Sequence, residues 1–160
     1  MAFKLPFFSS AATLPCGAYF SPGDTCLHAI LQSLQAARKS LKICVFTISD
    51  DRITAEILAA HRRGVNIQLL TDNEKLFDKG SDIKQLAHAG IPVKIDNTAN
   101  HMHHKFAIID QKYVLTGSYN WTRSAALYNH ENVLVTADSK VVAGYCKEFN
   151  RLWQEMTVFR

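Results

Sequence analysis

Between residues 24 and 40 the apolar positions are Leu27, Ile30, Leu31, Leu34 and Ala37, three or four apart, which is the repeat of one helical face. The spacing predicts a helix there, with Asp24 or Thr25 at its N-cap. The run LKICVFTI at 41–48 is too continuously apolar and β-branched to be half exposed, so it predicts a central strand covered on both faces. Asp50 and Asp51 follow, where an N-cap and the helix dipole favour carboxylates; a helix is expected over 52–63, stopped by Gly64, with a strand over 65–71. After a polar stretch, Ser81 is the expected N-cap of a short helix ending at Gly90, and IPVKID at 91–96 reads as another strand.

Helices alternating with short apolar strands predict an α/β fold, a central mixed and largely parallel sheet flanked by helices. The second half changes texture. Strands at 105–109 and 113–116 flank a tight connection, and 132–136 offers one more, so pairing there is expected to be partly antiparallel. Val142, Tyr145, Phe149, Leu152 and Trp153 stand at helical spacing over 139–156, a helix that closes the core.

With 160 residues, 48% of them hydrophobic, the chain has material for one core, assigned to residues 19–160. A net charge of +4 is too small for a disordered chain, and no uninterrupted apolar run nears the roughly 20 residues of a bilayer span. Residues 1–18, with Lys4, Pro6 and the Phe3, Phe7, Phe8 cluster, read as an N-terminal extension. It is either the remnant of an export or anchor segment or an unordered terminus. An exported, periplasmic or membrane-associated setting is the expectation. Cys16, Cys26, Cys44 and Cys146 lack CxxC spacing, so they read as ordinary thiols, with a Cys16–Cys26 bridge left open.

The mildly basic balance, 18 Lys and Arg against 14 Asp and Glu, suits polyanions such as nucleic acid or anionic phospholipid but singles out neither. The unusual feature is His101-Met102-His103-His104-Lys105 before an apolar strand, followed by Asp110 and by Gly117-Ser118-Tyr119-Asn120. Alternation along a strand sends His103 and Lys105 to one face and His104 to the other. Asp110, of opposite parity and at a turn, is expected to be a turn or supporting carboxylate. A neutral-range imidazole beside a fixed cation suits a phosphodiester: Lys105, the Asn120 amide and the Ser118 hydroxyl stabilise charge building on the non-bridging oxygens without a metal or other cofactor. Gly117 marks a bend or a close approach by ligand.

His103, Lys105 and Asp110 fit HxKxxxxD, and Gly117, Ser118 and Asn120 fit GSxxN six residues further on. The chain thus resembles the phospholipase D superfamily of HKD phosphodiesterases from about Phe20 to Trp153. CVFTISDDRI, TDNEK and TGSYNWTRSAA are most similar to its small, single-motif branch of bacterial nucleases and mitochondrial cardiolipin hydrolases of the Zucchini type. The resemblance implies the phospholipase D-like fold and a two-step reaction through a phosphohistidine. His103 would be the nucleophile, and His103 of a second copy the general acid, in a homodimer sharing one active site. It also implies that Glu131 hydrogen-bonds the catalytic imidazole and fixes its tautomer.

The expected substrate is nucleic acid, single-stranded or cut with little sequence preference. The alternative is phospholipase D or cardiolipin hydrolase activity on an anionic phospholipid membrane, and a nucleic-acid binding module without turnover is a third class. A metal at the HxHH histidines is disfavoured because Lys105 would repel it. His101 and His104 more often meet a protein acceptor than a substrate in such positions. Tyr119 and Trp121 either stack on a base or pack in the core. Arg52, Arg62, Arg63 and Arg123 either line a polyanion groove or are solvated helix residues, Arg123 being the best placed for binding.

Overall fold

The computed structural model describes residues 13–159. Its elements run β1 (Gly17–Phe20), α1 (Thr25–Ala36), β2 (Ser40–Val45), α2 (Asp51–Arg62), β3 (Asn66–Thr71), a 3-10 turn (Glu74–Leu76), α3 (Ile83–His88), β4 (Val93–Ile95), β5 (Lys105–Ile109), β6 (Tyr113–Gly117), α4 (Arg123–Leu127), β7 (Asn132–Thr136), α5 (Ser139–Glu155) and β8 (Thr157–Val158). The eight strands form one sheet in the order β1-β7-β6-β5-β2-β3-β4-β8.

The sheet is mixed, and its parallel part is smaller than the helix–strand alternation predicts. Only β2/β3 and β3/β4 pair in parallel; the remaining pairings are antiparallel. The reason is local. Residues 96–104 carry no crossover helix, and β5 enters beside β2 in the opposite sense. The strands at both sheet edges, β1 and β8, escape the sequence reading because four and two residues are too few to show a period. Since β1 begins at Gly17, the sheet takes in the last residues of the expected extension. The Phe3, Phe7, Phe8 cluster lies outside the described residues.

Alternation along β2 and β5 explains the two apolar layers. Leu41, Ile43, Val45, Ala107 and Ile109 face α1, α2 and α3, where Ile30, Leu34, Ile53, Ile57 and Leu86 close over them. Cys44, Phe106 and Ile108 face α5, against Val142, Phe149 and Leu152. Every residue of β5 is buried, as a strand covered on both sides requires. All four cysteines are free thiols, so Cys16 and Cys26 are unbridged.

Two helix ends differ from expectation for identifiable reasons. Periodicity carries α1 to Ser40, yet it stops at Ala36 because the Asp110 carboxylate captures the backbone amides of Arg38, Lys39 and Ser40 at 2.7–3.2 Å. At α3 the N-cap residue is Asp82, not Ser81. The Asp50 cap of α2 holds: its side chain is wholly buried, accepts from Arg52 N at 3.1 Å, and receives the Arg52 guanidinium at 2.9 and 2.7 Å.

Candidate active site

The motif segment runs along the edge of the sheet where the parallel strands β2 and β3 end, the place where open α/β sheets put their crevices. Two devices fix it there. Phe46 N donates to His104 O at 2.9 Å, extending the β2/β5 ladder one step past Val45↔Lys105. Asp72, wholly buried at the end of β3, accepts from Met102 N and from Glu74 N, both at 3.0 Å. Met102 between the histidines plugs into the α5-side core.

Side-chain directions follow the expected alternation. His104 turns toward α5, its Nε2 3.8 Å from a Glu148 carboxylate oxygen and its ring 5.6 Å from that of Phe106. His103 and Lys105 share the opposite side: the ammonium stands 3.0 Å from His103 Nδ1, 3.4 Å from Nε2, and donates to the His103 carbonyl at 2.7 Å. Beneath them lies Phe46, with its ring centroid 4.5 Å from that of His103, 5.4 Å from that of His101, and 5.3 and 5.1 Å from the Lys105 and Lys75 ammoniums. The three histidines therefore do not converge on a common point.

Burial sets the electrostatics. Lys105 is only 8% exposed. Desolvation pulls its pKa below the ordinary lysine value, with the Glu131 carboxylate opposing. His103 is held below the ordinary imidazole value, first by burial and then by the neighbouring Lys105 cation. An imidazole whose nitrogens face an ammonium is kept neutral, the state a nucleophile needs.

The second segment reaches the same edge through the chain after β6. Ile48 bridges to Trp121 and Ser49 N donates to Trp121 O at 2.9 Å, which sets 118–121 beside the end of β2. Tyr119 and Trp121 are core residues at 1% exposure, so neither is free to stack on a base. Asn120 between them presents a buried Oδ1 with no hydrogen-bond partner in the protein. The Ser118 hydroxyl donates to Glu131 Oε2 and accepts from Asn132 N at 3.1 Å.

Comparison with known proteins decides the family. The family model described as "Cardiolipin synthase, PLD-like domain" matches residues 30–153. The chain belongs to the phospholipase D superfamily. Within it, the single HKD motif places it in the small branch. It is 46% identical over 134 residues to a mitochondrial cardiolipin hydrolase of Chlamydomonas reinhardtii, covering 84% of this chain and 60% of that protein. Against the human mitochondrial cardiolipin hydrolase it is 40% identical over 141 residues, covering 88% and 55%. The chain thus spans little more than half the length of these relatives. Its fold is shared with Nuc of Salmonella typhimurium (TM-score 0.84, 24% identity, 91% of this chain and 98% of that one) and with NucT of Helicobacter pylori (0.82, 24%, 91% and 99%).

Against this phospholipase D framework several expected roles need correcting. Asp110, counted with the catalytic set, sits at the far end of β5 from His103, where its carboxylate is spent on the amides of residues 38–40. Gly117 is not a ligand contact: a Cβ there would lie 2.0 Å from Asn132 O, so it serves the close approach of β6 to β7. Glu131 makes no hydrogen bond to His103; its carboxylate accepts from Ser118 and from Asn129 Nδ2 at 3.3 Å. Arg123 is exposed and paired with Asp51 at 3.1 Å. Phe46 and Asp72 are the contributors that motif reading missed. Asp72 did leave a signal, as the first polar residue after the apolar strand β3, at the carboxyl edge of a parallel pair.

Proposed function

We propose that this phospholipase D superfamily phosphodiesterase hydrolyses an anionic phospholipid, cardiolipin foremost, through a covalent intermediate on His103, in a site completed by a second copy of the chain. The observation that carries the chemistry is the neutral His103 imidazole against the buried Lys105 cation. The substrate choice reverses the order expected from sequence, and two findings support the reversal. The relatives at 40–46% identity are named cardiolipin hydrolases. The arginines proposed for a polyanion path are also engaged: Arg52 is locked on Asp50, and Arg63 Nη2 donates to Leu34 O at 3.0 Å. The mitochondrial membrane surface replaces the periplasm as the inferred setting, following the names of those relatives. Among the described residues no helix is long and apolar enough to cross a membrane.

In the first step a His103 ring nitrogen forms a bond to phosphorus while the bond to the leaving glycerol oxygen breaks. Lys105 and Asn120 stabilise the charge gathering on the non-bridging oxygens, and the leaving oxygen takes its proton from His103 of the second copy. In the second step that same imidazole accepts a proton from water as the water oxygen attacks phosphorus. The P–N bond breaks, and His103 is regenerated with phosphatidic acid released. One motif per chain means that the second imidazole must come from a partner.

The test is a side-by-side panel in excess chelator. Cardiolipin vesicles, labelled single-stranded DNA and labelled RNA are offered to the same preparation. Phosphatidic acid release, with a phosphoenzyme trapped at acid pH and a dimer by light scattering, is the expected result. Cleavage of nucleic acid with intact vesicles would return nucleic acid to first place, and a strictly monomeric active enzyme would remove the shared site.

A further inference from the structure

His101 turns away from His103 toward two carboxylates. Its Nδ1 lies 3.3 Å from Asp72 Oδ2 and 3.8 Å from Glu74 Oε2, and the three donor atoms all fall within 4.8 Å of one another. The shorter distance is informative. A charge-assisted N–H···O bond closes to about 2.7–2.9 Å. Two ligand atoms held about 2.0–2.1 Å from one tetrahedral cation stand about 3.3–3.4 Å apart. The His101–Asp72 pair is loose for an ion pair and spaced for a metal.

The donors are also prepared for that task. Asp72 is wholly buried and immobilised by the amides of Met102 and Glu74, and each of these uses one lone pair, so Oδ2 retains one for a cation. His101 and Glu74 have side chains 50% and 62% exposed, which leaves an entry route from solvent. The opposing charge nearest the carboxylates on the same loop is Lys75, whose ammonium is tied to Asp78 at 2.8 Å. One imidazole nitrogen with two carboxylate oxygens suits zinc better than magnesium or calcium, which prefer all-oxygen shells.

We propose that Asp72, Glu74 and His101 form a binding site for Zn2+ at the mouth of the active site, and that zinc bound there suppresses turnover. The suppression rests on the phosphodiesterase reading; the binding does not. Three protein ligands leave a fourth position open on a tetrahedral ion. The His101 and His103 rings are 6.5 Å apart and both lie on Phe46, so that position opens beside the reacting phosphate. A phosphate oxygen drawn onto the ion is drawn away from Lys105 and from in-line attack by His103.

Calorimetric titration of ZnCl2 into the full chain, stripped with chelator and then dialysed, tests the site. One zinc per chain is expected in the micromolar range, with inhibition of cardiolipin vesicle hydrolysis at matching concentrations and none by millimolar magnesium. Glu74→Gln and His101→Ala should each weaken binding and inhibition together by about tenfold or more. Glu74→Gln, an exposed change outside the chemistry, should keep its metal-free rate. Binding that survives both substitutions, as zinc on the free thiols would, overturns the site, and so does no binding at all. Zinc that binds without slowing turnover overturns the suppression. If the metal-free chain cleaves neither vesicles nor nucleic acid while zinc still binds and the variants still weaken it, the phosphodiesterase reading fails and the metal site stands.

Discussion

Replacing Asp110 with Asn separates holding the fold from performing the chemistry. In the wild type Oδ1 accepts from Lys39 N at 2.7 Å and Ser40 N at 2.9 Å, and Arg38 N lies 3.1–3.2 Å from both oxygens. Asp110 and Gln111 have φ of 52° and 56°, the left-handed pair of a two-residue hairpin turn, and Asn tolerates that conformation as well as Asp does. The backbone is therefore undisturbed, and the loss comes from the hydrogen bonds. A single amide oxygen can keep the Lys39 and Ser40 contacts, but each drops from a charge-assisted to a neutral bond, a difference of about 1 kcal/mol. The Arg38 contact to the second oxygen goes, adding about 1 kcal/mol at this solvent-accessible turn. Urea denaturation should thus show Asp110→Asn destabilised by about 2–3 kcal/mol. Turnover well below the unfolding midpoint should stay within about threefold of wild type. A variant as stable as wild type that loses turnover by about a hundredfold would place Asp110 in the proton transfers and refute this account.

His103→Asn should lower turnover by roughly a thousandfold or more and abolish the trapped phosphoenzyme without moving the unfolding midpoint; residual phosphoenzyme would send the nucleophile role elsewhere. Phe46→Ala should let water reach His103, so its NMR titration midpoint rises toward the ordinary value of about 6.5 and the acidic limb of the rate profile moves to higher pH with it; an unmoved midpoint would deny Phe46 that role. The sign is the same for stability. Because the fold depresses the His103 pKa, its contribution is complete above the unfolded value of about 6.5 and is lost as pH falls toward the folded one, a loss that titration of His103→Asn against wild type isolates. Gly117→Ala should cost about 3 kcal/mol, at the upper end for overpacking, because the added methyl meets backbone that no rotamer change can clear; an unchanged urea midpoint would show β7 giving way freely.

The sequence made the helices and the long strands legible because their apolar residues repeat against polar ones. It was silent where an element is too short to repeat, as in α4, β1 and β8. It overran α1 because periodicity is blind to a carboxylate some seventy positions away, and Asp110 ends that helix from outside. The motif located the site, and strand alternation correctly put His103 and Lys105 on one side and His104 on the other. It did not say which motif residues meet there. Gly117, Asp110 and Glu131 each have a local partner that only a three-dimensional register discloses. Phe46 escaped notice because an aromatic at the end of an apolar strand reads as core until its neighbours are known.

Met102 has a consequence for how the enzyme can be altered. Its side chain is clamped between Cys44, Leu70 and Phe106 of the sheet and the helix α5, with its sulfur 3.5 Å from that of Cys44. The residues before and after it are the histidines that line the crevice. The long C-terminal helix therefore acts as the bench vice for the reacting centre. Loosening its grip by trimming Phe149 or Leu152, or by oxidising the thioether, will be heard as slower catalysis in a chain whose polar machinery is untouched. Laboratory evolution of the rate should accordingly find beneficial changes on the greasy underside of that helix as well as around the opening.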